Sequence, residues 1–377
     1  MAERHGLQKE QIIDFNGKLL PIAGEFKGMH IKKARPLIAE KLRSKGLLEK
    51  IDENYVHSIA LNSRGGGIIE PQIMRQWFID VNKKFKLKKS HIKDIKDGQD
   101  INLKELMGAT ISSGQIEIIP EQFKKIYFHW IDNLRDWCIS RQIWYGHRIP
   151  VWYREDEVYC GVSPPRDKGW EQDNDTLDTW FSSALWTFST LGWPAFAETA
   201  TAGKPGPEND LANYHPTSIL ETGYDILFFW VARMILMTGY HLGDIPFERV
   251  YLHGLVRDQQ GRKMSKSLGN TIDPLDMIKK YGADATRMSL IIGNPPGQDL
   301  KLSEEKIKGY KHFTNKMWNI TRFVLSSIED FDVGKQPELT IKDKEILEEL
   351  SKIAEEITRD IEHYRFYLAG EKLYHYI

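Results

Sequence analysis

The chain has 377 residues and a mass of 43.8 kDa, which is too long for one ordinary domain, so we expect two or three. It carries 52 Lys and Arg against 53 Asp and Glu, and the resulting charge of −1 excludes a globally basic nucleic-acid binder while leaving room for a local basic groove. Cys138 and Cys160 form no CxxC pair, which excludes a disulfide scaffold and a four-cysteine zinc site and indicates a reduced, cytoplasmic chain. The longest apolar stretch, Ile226–Met237, contains Arg233 and is shorter than the about 20 residues of a membrane span, so no membrane segment is predicted.

The first part of the chain, residues 1–75, is mixed in character. Ala34–Leu48 has helical spacing, and Tyr55–Leu61 predicts a short strand before a glycine turn. The stretch Lys83–Lys96 then carries seven lysines, which indicates a solvated helix face or loop. Contact with an RNA backbone is the alternative interpretation of the same lysines.

The middle of the chain alternates between strand-like and helical segments. Ile149–Trp152 is strand-like, and the Gly/Pro-rich stretch 195–213 predicts a surface insertion. Thr217–Leu220 leads into the helical Ile226–Met237, and Arg249–Leu255 precedes a glycine-containing loop. This alternation predicts βα units and a parallel sheet.

After Ser303 the strand signals stop. Glu304–Ile328 and Ile341–Ile377 have amphipathic helical patterns and are separated by the turn-like stretch 330–337. We therefore place a boundary near Ser303. The helical pattern continues to the last residue without a glycine, proline or polar cap, so we expect the chain to be truncated there.

The loop of residues 261–270 carries the strongest chemical signal. It holds two lysines and two serines between glycines, so it can wrap a polyphosphate, although a solvated basic turn has the same composition. Its string Lys-Met-Ser-Lys-Ser resembles the signature loop of class I aminoacyl-tRNA synthetases. The resemblance implies that Lys266, assisted by Lys263, stabilises charge as an amino-acid carboxylate attacks the α-phosphate of ATP. It also implies that Met264, Ser265 and Ser267 contact the nucleotide.

A second segment, Leu220–Ile226, lies where a strand meets a helix. A glycine there lets backbone approach a ligand, and an acid can hold ribose hydroxyls, although an ordinary turn is the simpler interpretation. By the same resemblance, Gly223 and Asp225 hold the adenylate ribose and Glu221 lies near the amino group of the amino acid.

The next strand ends in a segment similar to the adenine-contacting segment of that class, which implies ATP contacts from His253, Gly254 and Val256. Taken alone, His253 is more typical of a packed, hydrogen-bonded histidine.

Several segments resemble the valine-specific branch of the class, the valyl-tRNA synthetases. They are Ile69–Pro71, Gln76–Phe78, Asp136–Gln142, Gly146–Pro150, Asp178–Ser183, Thr190–Pro194, Glu221–Ala232 and Asn315–Asn319. The resemblance implies that Trp180 and Ile226 wall a small valine pocket, although both could be plain core residues. Isoleucine enzymes are expected to carry Gln in place of Ile226, so this position favours valine.

Parts of the family pattern are absent from these residues. The first ATP motif, His-Ile-Gly-His, does not occur, and the editing acids are expected upstream of the chain. Ser63 and the short Cys160–Trp170 loop replace the cysteine zinc knuckles, so no zinc site and no other protein-bound metal is expected. Mg²⁺ is expected to travel with ATP rather than to occupy a protein cage.

Together these patterns predict an α/β fold: the second half of a class I synthetase nucleotide-binding (Rossmann-type) fold. Residues 1–75 are expected to be the tail of an editing insert, 76–303 the catalytic part and 304–377 the start of a truncated α-helical anticodon-binding domain. The implied function is ATP-dependent activation of valine and its transfer to tRNA(Val), with the missing N-terminal half as a further partner and little activity from this chain alone. The alternatives are a non-catalytic tRNA- or partner-binding module and an isoleucine- or leucine-type synthetase.

Overall fold

Two units, residues 1–77 and 78–377, make up the chain in the computed structural model. The structure describes residues 2–62, 66–194, 210–265, 268–328, 334 and 338–377. The helices, in chain order, are α1 (Ala2–His5), α2 (Ile31–Ser44), α3 (Leu103–Ser112), α4 (Gln122–Asp132), α5 (Thr179–Ala184), α6 (Trp186–Ser189), α7 (Asp210–Tyr214), α8 (Ala232–Leu242), α9 (Pro274–Tyr281), α10 (Ala283–Ile291), α11 (Glu304–Ser327), α12 (Ile341–Glu362) and α13 (Phe366–Tyr376). The strands are β1 (Phe78–Ile79), β2 (Phe85–Lys86), β3 (Asp100–Ile101), β4 (Glu117–Ile119), β5 (Trp137–Cys138), β6 (Ser140–Arg141), β7 (Val151–Arg154), β8 (Glu157–Cys160), β9 (Glu171–Gln172), β10 (Thr176–Leu177), β11 (Thr217–Gly223), β12 (Phe247–His253), β13 (Val256–Arg257) and β14 (Leu300–Lys301).

The first unit contains the helix predicted over Ala34–Leu48, shifted towards the N-terminus as α2. It starts earlier because the His30 side chain accepts a hydrogen bond from Lys32 N at 3.2 Å and caps the helix. The strand predicted over 55–61 is wrong: only Leu61 pairs, in an isolated bridge with Ile68. The apolar side chains of this segment are exposed, Val56 to 91%. A short strand is stable only when its apolar face is packed against other elements, which is not the case here.

A three-stranded parallel sheet lies at the centre of the second unit, in the order β11, β12, β4. This confirms the predicted parallel sheet, although β4 comes from a segment in which no strand was predicted. One sheet face is apolar and buried, with Leu220, Val250 and Leu252 in the main core. That core also takes in residues of α3, α4 and α8, so helices cover this face as in other parallel sheets.

The connection from β11 to β12 runs through the predicted helical segment. A π-helical turn, Leu227–Val231, leads into α8, whose residues Ala232–Gly239 are all buried. A helix that is buried over most of its length belongs to the core, which explains why this sequence stretch is so hydrophobic. α8 ends at Gly243, whose φ of +66° is favourable for glycine.

The lysine-rich stretch 83–96 is a loop region and not a helix. It contains the short strand β2, which pairs antiparallel with β3 beyond the stretch, and its residues Leu87, Ile92 and Ile95 are buried. All seven lysines of the stretch are exposed. Of the predicted surface insertion 195–213, residues 195–209 lie outside the described residues, and α7 starts directly after them.

The last part of the chain is helical, as predicted. Ser303 caps α11 by accepting a hydrogen bond from Lys306 N at 3.2 Å, and Thr340 and Asp343 form a capping box at the start of α12. α11 and α13 pack against α10 within the second unit. The division into an editing tail, a catalytic part and an anticodon-binding part remains a prediction.

Candidate active site

The carboxyl ends of β11 and β12 meet at one edge of the parallel sheet. Gly223 and His253, the last residues of the two strands, are register partners. Asp225 follows Gly223 in a 3₁₀ turn, and Gly254 follows His253. Four residues predicted to contact the nucleotide thus lie together at this edge. In open α/β sheets, ligands bind at the carboxyl ends of the strands.

The two glycines differ in how close their neighbours come. A Cβ atom on Gly223 would lie 2.7 Å from Oδ1 of Asp225, the end of a side chain that can shift. A Cβ atom on Gly254 would overlap the carbonyl oxygen of Gln298, which is backbone and cannot rotate away. Glycine at position 254 therefore lets the two backbone segments approach this closely.

Glu221 and His253 form a pair on one face of the sheet. His253 Nε2 lies 3.4 Å from Glu221 Oε1, and its Nδ1 lies 2.7 Å from the carbonyl oxygen of Gly254. Both side chains line a cavity of about 390 Å³ with Tyr251 and with residues of α10 and of the α12–α13 junction. Burial, with the nearby Glu221 charge, raises the pKa of Tyr251. This face is opposite to the one that packs into the main core.

A network around Asp299 joins the two strand ends and was not found from sequence. Asp299 Oδ1 accepts hydrogen bonds from Tyr224 Oη at 2.9 Å and Leu255 N at 2.8 Å, and Arg257 pairs with Oδ2. Burial opposes ionisation of Asp299, but the donors from Leu255, Arg257 and Tyr224 outweigh it and lower its pKa. Asp299 gives no local sequence signal because its partners lie far away along the chain.

The lysine loop extends from this edge. Lys263 Nζ lies 3.2 Å from Asp225 Oδ2, so the loop reaches the proposed ribose site. The half-buried Met264 and Val256 pack with a small second core that contains Met277, and Ser265 N donates to Asn270 at 2.9 Å. Lys266 and Ser267, both singled out from sequence, lie outside the described residues.

The two residues predicted to wall the amino-acid pocket lie near the π-helical turn. Trp180, in the first turn of α5, stacks on Phe229 of that turn with ring centroids 6.1 Å apart. Ile226 is half-buried and directly precedes the turn. α5 packs against both the turn and α8, on the core side of the sheet. Glu221 is not brought to them, since its side chain is on the opposite face with His253.

A buried polar cluster supports α5 and was also missed from sequence. Asp178 caps α5 and accepts hydrogen bonds from Trp137 Nε1 at 3.1 Å and from Arg141, whose Nη2 is 3.0 Å away. The guanidinium of Arg233 lies 3.9 Å from the Trp137 ring centroid, a cation–π contact. Burial lowers the pKa of Arg233 to about 10, although the Asp178 charge opposes this.

Within the described ranges, no group of three or more His, Cys, Asp or Glu side chains is arranged to hold a metal ion. In the same ranges, no helix is both long and apolar enough to cross a membrane.

Comparison with known proteins identifies the family. The sequence model of the tRNA synthetases class I (I, L, M and V) matches residues 25–164 and 164–303. The chain is 42% identical over 383 residues to a valine–tRNA ligase of Bacillus licheniformis and 43% identical over 389 residues to one of Geobacillus stearothermophilus. Each alignment covers 100% of this chain but 40% of the relative, so the chain spans less than half the length of these proteins.

Solved structures show the same fold at lower identity. Mycobacterium tuberculosis methionyl-tRNA synthetase in complex with methionyl-adenylate superposes with a TM-score of 0.60 at 21% identity, over 85% of this chain and 54% of that one. The LeuRS–tRNA–LeuAMS ternary complex of Agrobacterium radiobacter K84 gives a TM-score of 0.52 at 20% identity, over 67% of this chain and 38% of that one. The α/β fold predicted from the sequence is thereby confirmed, and the chain belongs to the class I tRNA synthetases (I, L, M and V).

Proposed function

We propose that this chain forms part of the nucleotide and amino-acid site of a valine–tRNA ligase. The reaction is ATP-dependent formation of valyl-adenylate, followed by transfer of valine to tRNA(Val). The observation that carries the proposal is the contact between Lys263 and Asp225 at the sheet edge where Gly223 and His253 end their strands. The identity of about 42% to valine–tRNA ligases over the whole chain supports the choice of amino acid.

The residues at the sheet edge have distinct proposed roles. The Asp225 carboxylate accepts hydrogen bonds from the ribose hydroxyls, and Gly223 and Gly254 allow the backbone to close on the nucleoside. Lys263 leaves Asp225 for the phosphates, where Lys266 stabilises the charge that develops on pyrophosphate. Catalysis then consists mainly of positioning and electrostatic stabilisation. Mg²⁺ accompanies the ATP phosphates and neutralises part of their charge.

The proposed valine pocket lies between Trp180 and Ile226. A small apolar pocket excludes larger side chains sterically, but it distinguishes isosteric threonine only about 10²-fold. The stacking of Trp180 on Phe229 supports this role because it fixes one wall against the turn that follows Ile226. We further propose that residues 1–75 belong to an editing insert and 304–377 to an anticodon-binding domain. The first ATP motif would come from another segment of the protein or from a separate chain in the cytoplasm.

The test is valine-dependent ATP–pyrophosphate exchange by a chimaera in which this chain replaces the matching segment of the Geobacillus stearothermophilus relative. We expect exchange with valine and little with isoleucine, leucine or threonine, and no exchange from the 377-residue chain alone. Exchange with isoleucine or leucine in preference to valine would assign the chain to another branch. Robust exchange by the isolated chain would refute the proposed need for a further segment.

A non-catalytic tRNA- or partner-binding module is the second candidate, because His-Ile-Gly-His does not occur in these residues and the seven lysines of 83–96 are all exposed. The binding-module hypothesis would be favoured if the chimaera folds and binds tRNA but shows no ATP–pyrophosphate exchange with any amino acid. Circular dichroism establishes folding in that comparison.

A further inference from the structure

Two side chains that were not among the predicted site residues, Asp258 just before the lysine loop and Asn270 at its end, contact each other. Asp258 is only 7% exposed. It accepts hydrogen bonds from Arg262 N and Arg262 Nε, each at 2.8 Å, and from Asn270 Nδ2 at 2.9 Å. Its own N–H donates to Arg262 O at 3.0 Å, so the turn that enters the loop is closed from both sides.

Asn270 uses both ends of its carboxamide. Its Oδ1 accepts from Ser265 N at 2.9 Å, and its Nδ2 donates to Lys263 O at 3.3 Å as well as to Asp258. One side chain therefore holds the backbone on either side of Met264 and connects it to Asp258. The loop backbone also pairs with β13, through a bridge between Arg257 and Lys263.

The contacts made by Asn270 are important because the exposed side chain of Lys263 is itself held weakly. The side chain is 60% exposed, and its contact with Asp225 is a single ion pair on a long, rotatable stem. Misplacement of a reacting group by about 1 Å can cost 10²-fold in rate. The direction of Lys263 therefore depends on how firmly its backbone is held. The described contacts that hold this backbone include the bridge to Arg257 and the side chain of Asn270, which is itself bonded to Asp258.

We propose that Asp258 and Asn270 are positioning residues that hold the lysine-loop backbone so that Lys263 reaches the nucleotide site. The inference rests on the proposed function for its catalytic consequence, but the anchoring can be measured without catalysis. The carboxylate and the carboxamide act as one unit, because Asn270 Nδ2 donates directly to Asp258 Oδ2.

The first experiment is amide hydrogen exchange on the 377-residue chain. In Asn270→Ala and Asp258→Asn we expect the amides of Arg262 and Ser265 to exchange about tenfold or more faster, while the sheet keeps its protection. Asn133→Ala is the control, since Asn133 is an asparagine whose side chain likewise donates to a backbone carbonyl, His129 O at 2.8 Å, but at the exposed end of α4. Unchanged exchange at Arg262 and Ser265, or the same acceleration in the control, would overturn the proposal.

A double-mutant cycle tests whether the bond between the two side chains is responsible. If Asp258→Asn and Asn270→Ala act through their mutual hydrogen bond, the combined variant should accelerate exchange by less than the product of the two single effects. Effects that simply multiply, in a chain with native circular dichroism, would show that this hydrogen bond does not hold the loop.

Kinetics in the chimaera separate positioning from a general structural role. Asn270→Ala should lower the exchange kcat at least about tenfold and leave the KM for valine unchanged. A rise in KM for valine with unchanged kcat would overturn the positioning role. An unmutated chimaera that folds but has no activity would refute the proposed function instead, and the hydrogen-exchange result would still decide whether these residues hold the loop.

Discussion

The Nζ atom of Lys263 lies 3.2 Å from Oδ2 of Asp225, although the two residues are 38 positions apart in the chain. The side chains are 60% and 33% exposed, so solvent screens the pair and its contribution to stability is small. The importance of the contact is positional, because it shows that the lysine loop and the end of β11 border the same space. A lysine held this weakly can move to a phosphate when a nucleotide binds.

Lys263→Ala in the chimaera should lower the rate of valyl-adenylate formation roughly 100-fold, because a charged donor to the phosphates is removed. The measurement is valine-dependent ATP–pyrophosphate exchange. Lys279→Ala is the control, since Lys279 is 78% exposed and its ion pair among the described residues is with Asp276 of its own helix, at 3.6 Å. Equal losses in both variants would contradict a specific role for Lys263.

Lys266→Ala should lower the activation rate with little change in the affinity for valine. The reason is chemical: this lysine is expected to stabilise charge that develops on pyrophosphate in the transition state, not to contact valine. Exchange kinetics give the rate, and equilibrium titration with valine gives the affinity. A large loss of valine affinity would assign the loop a different role.

Ile226→Ala should enlarge the proposed pocket and reduce the preference for valine over isoleucine about tenfold. Space for one extra methylene in an apolar pocket changes discrimination between substrates by at least about that factor. The ratio of kcat/KM values in exchange measures it. Ile219→Ala is the control, because Ile219 lines the cavity with Tyr251 on the other face of the sheet. If the ratio of kcat/KM for valine to that for isoleucine is unchanged in Ile226→Ala, this residue is a core residue and not a wall of the pocket.

Gly254→Ala should lower the free energy of unfolding by about 1–3 kcal/mol, because its Cβ would overlap backbone of Gln298. Gly309→Ala is the matched control: it lies inside α11 with nothing within 4 Å of a Cβ atom. The control should be neutral or more stable by about 0.5–1 kcal/mol. Urea unfolding followed by circular dichroism makes the comparison, and equal stabilities would contradict the close approach.

The contribution of Asp258 to stability should depend on pH in the acid range. The hydrogen bond from Asn270, helped by donors from Arg262 and opposed by burial, lowers the pKa of Asp258 to about 2. The carboxyl group of an Asp in the unfolded chain has a pKa of about 3.9. The stabilisation is therefore fully present above about pH 4 and is lost as the pH falls towards 2. The difference in free energy of unfolding between the unmutated chain and Asp258→Asn should therefore shrink over that interval. A constant difference would contradict the lowered pKa.

Predictions of the site from the sequence rest on signals that lie within a few residues. The loop Gly261–Asn270 and the pattern Gly-x-Asp at 223–225 could be recognised because their spacing is short and their chemistry is specific. The strand predicted over 55–61 failed because local apolar character does not supply a pairing partner.

Contiguous motifs were enough to identify the family, the α/β fold and the order of the segments proposed to form the nucleotide site, because short motifs keep their chemistry in any fold. The contacts of Asn270 with Asp258, of Tyr224 with Asp299 and of Glu221 with His253 became visible in the folded chain alone. These pairs join ordinary polar residues that carry no distinctive local pattern. Their meeting depends on strand register and on which side of the sheet each residue faces, and both are set by packing over the whole second unit.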